Sequence, residues 1–347
     1  MVGGFSSTPF GVVTTADGRW SFVALVDQLA VMSDRGFAPK LVRLVLPPRS
    51  GITALGEALS PDNRYLLAAD GDSGADVFSV AALERGAPHP LLGELPVRDE
   101  RAAGAIEVTV SPDGHYAFVS LEDGAEIAVF DLRAALADRF HRSGFVGMIP
   151  VGEAPVGLAI SPNGKWLYAT SEEAKGGQPS GEGTLSVIDL SRAESDPAKA
   201  VVATVAAGCS PVRVAVSPDG STVWVTARES DALLGFSAAR LIDDPAHALL
   251  TAVRVGEAPV GLALVDGGQR IVVADSNRFG LPGASAGLTV VNPAAALAGR
   301  PAVLGTVRAG TFPREMSLEP NGRTLLVTNY GSAQLEAVDV GELVGPR

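Results

Sequence analysis

Cysteine and histidine are scarce in this sequence. Cys209 is the only cysteine, so neither an intrachain disulfide nor a cluster of thiolate metal ligands can form. The four histidines, at positions 89, 115, 141 and 247, stand far apart, and none has another histidine or cysteine at metal-ligand spacing. No phosphate-binding glycine motif or nucleophile elbow occurs in a suitable context. We therefore expect no metal and no other cofactor.

Positive charge and long apolar runs are also lacking. Lysine and arginine number 27 against 39 aspartates and glutamates, which gives a net charge of -12. Such a charge disfavours nucleic acids and anionic membrane surfaces, so we expect no nucleic-acid partner. No apolar run approaches the ~20 residues of a membrane-spanning helix, and residues 1–4 do not resemble a signal peptide. We expect no membrane span.

Glycine and proline are abundant instead, with 40 and 24 copies in 347 residues, and many of them lie in a recurring turn. The turn has the form Ser-Pro-Asp-Gly, and successive copies are 45 to 56 residues apart. Proline presets the backbone at its second position, and glycine accepts a positive φ at its fourth. The seven copies begin at Thr15, Ser60, Ser111, Ser161, Ser217, Val265 and Glu319. A period near 50 residues with strands on both sides is typical of a propeller.

Each repeat contains four candidate strands. In the clearest repeat they cover residues 154–160, 165–170, 184–190 and 200–205. Four antiparallel strands form one propeller blade, so the sequence predicts an all-β, seven-bladed β-propeller as a single domain over residues 1–347. The approximate blade boundaries are 1–50, 51–100, 101–150, 151–208, 209–255, 256–309 and 310–347.

The last repeat stops shortly after its third strand. A strand from the N-terminus would complete it, yet Val2-Gly3 already aligns with the Val-Gly that follows a fourth strand, as in Val151-Gly152. We therefore expect a longer precursor with a removed signal or anchor, and a periplasmic or extracellular location. The alternative is a last blade of three strands.

Several repeats share a further pattern of Val-Gly-x-x-Pro, Val-Thr-Asn and Val-x-Val-Ile-Asp. It occurs at Val151–Pro155, Leu167–Thr170 and Val187–Asp189, and again at Val327–Tyr330. This pattern resembles the repeat of the YVTN family of β-propellers. Similar seven-bladed proteins include lactonases of the phosphogluconolactonase type and muconate cyclases. The resemblance implies the fold, and it implies histidine, arginine and glutamate in a central cleft. This chain offers the arginine and glutamate there, but no histidine.

Candidate site residues lie where the repeats differ. The residue four positions before each turn starts an inner strand, on the face opposite the turns. Four of these are glycines that leave space, Gly11, Gly56, Gly157 and Gly261; the other three are Glu107, Arg213 and Glu315. We expect these three, the catalytic candidates, to converge on the channel mouth with Arg314. They can bind an anionic or polyhydroxy ligand or transfer protons on one. Mutually paired charges lining a channel are the alternative.

Loops on the same face supply further candidates. The loops over residues 171–183 and 275–287 are unusually long, which is typical of binding loops and also of tolerated insertions. Besides Arg314, the ligand-binding candidates are Glu172, Asn277, Arg278 and Phe279 on these loops, Arg228 and Glu229 on the loop between them, and Asn329 and Tyr330 in the last repeat. Loop hydrogen bonding is the alternative role for Asn329 and Tyr330.

Two functions fit these observations. The first is a binding module that holds a small molecule or a protein partner on its loop-rich face. The alternative is a lactonase- or cyclase-like enzyme acting on a lactone or small organic acid, with Glu107 and Glu315 as acid–base groups and Arg213 as the anion-binding group. Mutual pairing of these three charges without a cavity would argue against both uses of the cluster, whereas an isolated carboxylate in a wide cleft would favour the enzyme.

Overall fold

The computed structural model describes residues 3–34, 38–46, 54–72, 74–97, 104–142, 144–174 and 181–343. These residues form seven four-stranded antiparallel sheets, which confirms the predicted all-β, seven-bladed propeller. Within the described residues, no helix has the length and apolarity needed to cross a membrane.

The strands follow one another in chain order within each blade. A two-residue strand, β1 (Gly3–Gly4), precedes blade 1. Blade 1 contains β2 (Pro9–Thr14), β3 (Trp20–Leu25), β4 (Gln28–Ser33) and β5 (Lys40–Val45). Blade 2 contains β6 (Glu57–Leu59), β7 (Tyr65–Ala69), β8 (Gly74–Ser79) and β9 (Leu91–Pro96). Blade 3 contains β10 (Ala105–Val110), β11 (Tyr116–Leu121), β12 (Glu126–Asp131) and β13 (Phe145–Pro150).

Blades 4 to 6 have the same order. Blade 4 contains β14 (Glu153–Ile160), β15 (Trp166–Glu173), β16 (Glu182–Asp189) and β17 (Val201–Cys209). Blade 5 contains β18 (Pro211–Val216), β19 (Thr222–Ala227), β20 (Ala232–Ser237) and β21 (Leu249–Arg254). Blade 6 contains β22 (Pro259–Val265), β23 (Arg270–Asp275), β24 (Gly287–Val291) and β25 (Val303–Arg308).

The seventh blade differs from the others at its outer edge. Its three full strands are β26 (Pro313–Leu318), β27 (Thr324–Asn329) and β28 (Gln334–Asp339). The short β1 pairs with β28 in antiparallel fashion, with Gly3 opposite Leu335 and Gly4 opposite Gln334. Within the described residues the blade therefore lacks a full fourth strand, as the sequence predicted, and Gly3–Gly4 from the other end of the chain form a two-residue fourth strand.

Short helices connect third and fourth strands in most blades. They are α1 (Val80–Arg85), α2 (Leu132–Ala137), α3 (Leu190–Ser195), α4 (Arg240–Asp243) and α5 (Pro293–Leu297). The connections in blades 4 and 5 also contain 3₁₀ turns, at Pro197–Lys199 and Pro245–His247. Elsewhere in the chain, 3₁₀ turns occur at Arg228–Ser230, Asp266–Gly268 and Val340–Glu342. The side chains of Ser79, Asp131, Asp189 and Asn292 accept a hydrogen bond from a first-turn N–H, which caps α1, α2, α3 and α5.

The recurring turn closes the hairpin between the first two strands of a blade. In blade 4, Ser161 Oγ donates to Asn163 Oδ1 at 2.7 Å and accepts from the Trp166 N–H at 3.0 Å. Gly164 has a φ of 69°, which glycine adopts without strain, and it lies against Pro112 of the preceding turn. The turns therefore support one another around one face of the ring, here called the turn face. The opposite face is called the loop face.

Candidate functional site

The inner strands of neighbouring blades approach closely at the loop face. A Cβ atom on Gly157 would lie 2.6 Å from Thr170 Oγ1 and would clash with the Val212 carbonyl oxygen. A Cβ on Gly261 would clash with the Arg314 carbonyl oxygen. The expectation that these glycines leave open space is therefore wrong. They allow the next inner strand to pack against their own.

Bulges shape the inner strands at the same level. The strand register shifts between Pro211 and Val214 in β18, and between Pro313 and Met316 in β26. A β-bulge bends its strand and re-aims the side chains within it. The residues four and five positions before each turn lie in or beside these bulges, at the wall of the channel.

Arg213 joins two glutamates from other blades. Its Nη2 atom lies 3.1 Å from Glu107 Oε2 of blade 3, and its Nε donates a hydrogen bond to Glu315 Oε1 of blade 7. Arg213 is only 6% exposed. The structure thus brings Glu107, Arg213 and Glu315 together across the channel, as a paired cluster in which one guanidinium faces two carboxylates.

Threonine side chains hold the backbone of this cluster. Thr226 Oγ1 accepts from the Arg213 N–H at 3.1 Å and donates to the Val260 carbonyl of the next blade at 2.6 Å. Thr328 Oγ1 does the same for Glu315, accepting at 3.0 Å and donating to the Phe10 carbonyl at 3.0 Å. Each hydroxyl links the inner strand of its own blade to the following blade. The packing of the blades therefore fixes the backbone positions of Arg213 and Glu315.

Burial controls the protonation of the cluster. It raises the pKa of Glu107 to about 7; the Arg213 charge opposes this shift and the Glu315 charge adds to it. Burial lowers the pKa of Arg213, but the charges of Glu315 and Glu107 together raise it by more, so its pKa lies above the ordinary value. Glu107 therefore exchanges its proton near neutral pH, while Arg213 stays charged.

Glu57 is a buried carboxyl that the sequence analysis missed. It is the first residue of β6, and burial raises its pKa to about 8, opposed by the Ala24 N–H and assisted by the Glu107 charge. Neither carboxylate oxygen has a hydrogen-bond partner of good geometry among the described residues. The equivalent residues three positions before other turns are apolar, as at Val12 and Val108. A charge at an apolar position of the repeat was the available signal.

An apolar ring lies one residue before the charged cluster. Its members come from the position five residues before each turn: Phe10, Leu55, Ile106, Val156, Val212 and Val260. Arg314 takes the seventh place. A comparison of the repeats at this position would have identified Arg314 as the exception in an otherwise apolar ring.

Arg314 is surrounded by aromatic rings. Its guanidinium carbon lies 3.6 Å from the centre of the Phe10 ring, 5.8 Å from that of Tyr330 and 5.9 Å from that of Phe312. No carboxylate oxygen of a described residue lies within ion-pairing distance, and the buried Nε has no hydrogen-bond partner there. Burial, and then the Arg213 charge, lower its pKa to about 10, while Glu315 opposes the shift. Arg314 is therefore a partly buried cation without a counter-charge in contact.

The long loop of blade 6 brings a second arginine to the same place. The Arg278 guanidinium lies 5.6 Å from the centre of Phe312 and 5.9 Å from that of Phe279. Asn277 instead serves the loop itself, since its amide donates to the Ala284 carbonyl and accepts from the Leu281 N–H, both at 3.2 Å. Phe279 and Leu281 are exposed, at 49% and 46%.

The remaining candidates have other positions: one pair connects two blades, Asn329 bonds within its own blade, and Glu229 faces solvent. Arg228 and Glu172 form a bidentate pair between blades 5 and 4, with distances of 2.7 and 2.5 Å. Glu229 is exposed. Asn329 is buried and donates to Glu336 Oε2 at 2.9 Å. The rest of the blade 4 loop, residues 175–180, lies outside the described residues.

Glu122 was also missed. It follows β11 and is half-buried; burial raises its pKa, as do the charges of Glu172 and Asp123, while Arg314 and Arg213 oppose the shift. Its position within the field of Arg314 and Arg213 depends on how the blades meet. No sequence pattern indicated it.

The sequence matches the family model described as "Lactonase, 7-bladed beta-propeller" over residues 57–240, slightly more than half of the chain. This chain belongs to the lactonase family of seven-bladed β-propellers. The resemblance drawn from the repeat is thereby confirmed. The matched part of this lactonase-family propeller contains Glu57, Glu107 and Arg213, whereas Arg278, Arg314 and Glu315 lie beyond it.

Solved structures show the same fold at low sequence identity. Hydrazine synthase from Kuenenia stuttgartiensis superposes with a TM-score of 0.75 at 16% identity, covering 98% of both chains. A chain of the mitotic checkpoint complex gives 0.73 at 13% identity, covering 95% of this chain and 86% of its own. The Cps50 (Swd1) propeller domain from Myceliophteria thermophila gives 0.69 at 14% identity, covering 98% and 100%. A search of curated protein sequences gives no match.

The lactonase-family propeller thus presents two chemically different groups at its channel. The Glu107–Arg213–Glu315 cluster is internally paired, whereas Arg314 lies against aromatic rings and forms no ion pair with a described residue. Among the described residues, no group of three or more histidine, cysteine, aspartate or glutamate side chains is arranged to hold a metal ion.

Proposed function

We propose that this lactonase-family propeller binds a small anionic ligand at the loop-face mouth of its channel. The observation that carries the proposal is the partly buried Arg314 guanidinium, which contacts Phe10 and has no carboxylate partner among the described residues. A buried charge is costly unless it is paired, so an anion that pairs with Arg314 gains a charge-assisted hydrogen bond.

Local charge supports an anion rather than a cation. Arg213 is matched by Glu107 and Glu315, so it attracts a ligand only weakly. Arg314 and Arg278 both lie within 6 Å of the Phe312 ring centre, and Arg278 contributes to the lowered pKa of Arg314. Two arginines therefore lie near the same aromatic ring at the channel mouth. This local positive charge contrasts with the net charge of -12 of the whole chain.

The aromatic surroundings suggest the second part of the ligand. Phe312 and Tyr330 pack with their ring centres 5.2 Å apart, and the Arg314 guanidinium carbon lies 3.6 Å from the centre of the Phe10 ring. Binding sites combine apolar walls with a few placed polar groups. A carboxylate attached to a small apolar body fits this combination, and benzoate is a simple probe of it.

Calorimetric titration with benzoate tests the proposal. We expect benzoate to bind and its uncharged analogue benzamide to bind at least ~10-fold more weakly, because the carboxylate supplies a charge-assisted contact worth about 1.5–3 kcal/mol. Arg314→Met should lose the binding of benzoate while remaining folded.

Arg142→Met is the matched control, because Arg142 is an exposed arginine on the outer side of blade 3. It should bind benzoate as the unmodified protein does. Equal affinity of the Arg314→Met variant and the unmodified protein for benzoate, or loss of binding in Arg142→Met alone, would contradict the proposal.

Lactone hydrolysis is the second candidate, and the family match together with the raised pKa of Glu107 supports it. The mutual pairing of Glu107, Arg213 and Glu315 argues against this use of the cluster, which is why the candidate stands second. Burial raises the pKa of Glu107 to about 7, which suits a general base near neutral pH. In this reaction the Glu107 carboxylate takes a proton from water as the water oxygen attacks the lactone carbonyl carbon. A guanidinium stabilises the resulting oxyanion. The ring C–O bond then breaks, and the leaving oxygen takes the proton back from Glu107, which yields a hydroxy acid.

Hydrolysis of a panel of γ- and δ-lactones tests this candidate. Any activity should rise as pH increases through about 7, since Glu107 must lose its proton to act as a base. Glu107→Gln and Arg213→Met should each lower kcat by at least ~100-fold. Unchanged turnover in both variants would exclude this role for the cluster, and it would leave the Arg314 proposal standing.

A protein partner is the other form of the binding proposal. Phe279 and Leu281 expose apolar surface on the blade 6 loop, next to Arg278. Exposed apolar residues beside a binding site are typical of contact surfaces, although two residues form only a small patch. The anionic small molecule has the stronger support, because Arg314 is recessed behind these loop residues, among the inner strands.

A further inference from the structure

Two acidic residues on the turn face occupy positions that are not acidic in the other repeats. Asp34 follows the third strand of blade 1, and its N–H donates to the Arg19 carbonyl at 2.8 Å. The residues that make the same bond in blades 2, 4 and 7 are apolar and buried, namely Val80, Leu190 and Val340, and in blade 3 it is the exposed Arg133. Asp34 is also buried, with 7% exposure.

Glu319 is the second exception. It stands at the first position of the blade 7 turn, where five of the other turns have serine or threonine and the blade 6 turn has Val265. It is 2% exposed, and its Oε2 accepts from Asn321 Nδ2 at 2.6 Å. Burial raises its pKa. The serine of a normal turn needs no counter-charge, whereas this buried carboxylate does.

The ring brings the two carboxyls together where blade 7 meets blade 1. Pro320 lies against Gly18 of the blade 1 turn, in the same way that the turns of neighbouring blades pack elsewhere. The Glu319 charge contributes to the raised pKa of Asp34, which burial brings to about 6. Departures from the repeat in the first and last blades thus meet at the junction that closes the ring.

Each carboxyl has one oxygen without a partner. Asp34 Oδ2 accepts from Ser21 Oγ, but Asp34 Oδ1 is buried and has no hydrogen-bond partner among the described residues. Glu319 Oε1 is likewise buried and without a partner there. No described lysine or arginine forms an ion pair with either group, so two buried acidic groups lie at the same blade junction with no positive charge in contact. Such an arrangement is costly unless a cation is bound.

We propose that Asp34 and Glu319 hold a hard divalent cation, Mg²⁺ or Ca²⁺, at the junction between blades 7 and 1. Carboxylate oxygens are the preferred ligands of these ions, and Mg²⁺ in particular is bound by one or two carboxylates while keeping several waters. Hydroxyl, carbonyl and water oxygens complete the coordination. The cation cancels the repulsion between the two carboxylates and joins the last blade to the first.

Thermal unfolding under metal control tests this site. The protein is stripped with EDTA, dialysed, and melted at constant ionic strength with increasing MgCl₂ or CaCl₂. We expect a saturable rise in Tm of at least ~2 °C, because a ligand that binds only the folded state stabilises it. Asp34→Asn and Glu319→Gln should abolish the rise. Asp275→Asn is the control, since Asp275 is a buried carboxyl at the loop end of β23, and it should retain the rise.

Terbium luminescence provides a direct readout if a variant fails to fold. Trp20 of β3 pairs with Ser33, the residue before Asp34, so a Tb³⁺ ion at the site should be sensitised by Trp20. Excess Ca²⁺ should quench that signal, and Trp20→Phe should remove it.

Two results would overturn the proposal. One is the absence of a saturable shift with either cation together with the absence of Trp20-sensitised luminescence. The other is higher, cation-independent stability of Asp34→Asn and Glu319→Gln, which would mean that the two carboxyls share a proton instead.

Discussion

Single residues that break the repeat define the chemistry of this propeller. Glu57 replaces an apolar residue, Arg314 replaces a member of an apolar ring, and Glu107 stands where four of the other inner strands have glycine. The sequence identified Glu107 and Arg314 as candidates because they lie beside a recognisable turn. It did not identify Glu57, because the burial of that carboxyl depends on the neighbouring blade.

Glu57→Gln should change how stability depends on pH. The folded-state pKa of Glu57 is about 8, above the ordinary 4.5, so the folded protein holds this proton more tightly than the unfolded chain. The stabilisation is complete below pH 4.5 and is lost as pH rises through about 8. Glutamine mimics the protonated form, so the variant should be more stable than the unmodified protein by roughly 1–3 kcal/mol at pH 9.

Urea unfolding at pH 5, 7 and 9 measures this difference. Exposed Glu229→Gln serves as the control and should follow the unmodified protein at all three values. If Glu57→Gln and the unmodified protein lost stability in parallel between pH 5 and 9, the raised folded-state pKa of Glu57 would be wrong.

At the scale of strands and turns, local chemistry determines most of the structure. The serine, asparagine and glycine of the blade 4 turn satisfy one another's hydrogen bonds within six residues, so the sequence alone predicts the hairpin. The inner-strand glycines were interpreted wrongly because their function is to admit the next blade. The Arg228–Glu172 pair went unpredicted for a related reason, since its two partners are 56 residues apart.

Thr226→Val tests the link between inner strands. The substitution keeps the shape of the side chain but removes the hydroxyl that accepts from the Arg213 N–H and donates to the Val260 carbonyl. Two buried groups lose their partner, so we expect a loss of about 1–3 kcal/mol in the free energy of unfolding.

Thr251→Val in the outer strand β21 is the matched control, with an expected change within ~0.5 kcal/mol. Denaturant unfolding of both variants gives the comparison. Equal losses in the free energy of unfolding for the two substitutions would show that the Thr226 hydroxyl stabilises the fold no more than the hydroxyl of an outer-strand threonine does.

At the scale of the whole molecule, the ring separates structural from functional positions. The turns repeat on one face and support one another, whereas Glu107, Arg213, Arg314 and Glu315 converge on the channel mouth at the other face. Asp34 and Glu319 are charged departures from the repeat on the turn face, where the last blade meets the first. The repeat spacing predicted the number of blades and the short last blade. It could not predict that Arg213 forms ion pairs with two carboxylates while Arg314 forms none among the described residues, because that difference depends on distances across the channel between blades 3, 5 and 7.

The most direct test of the anion site is a crystal structure of the protein soaked with benzoate. The account predicts the carboxylate within hydrogen-bonding distance of the Arg314 guanidinium at the loop-face mouth, with the ring against Phe312 or Tyr330. A competing location exists in the outer cavity of about 520 Å³ lined by Arg139, Phe140 and Arg142. Benzoate bound in that outer cavity, with the Arg314 site free of ligand at saturating concentration, would contradict the account.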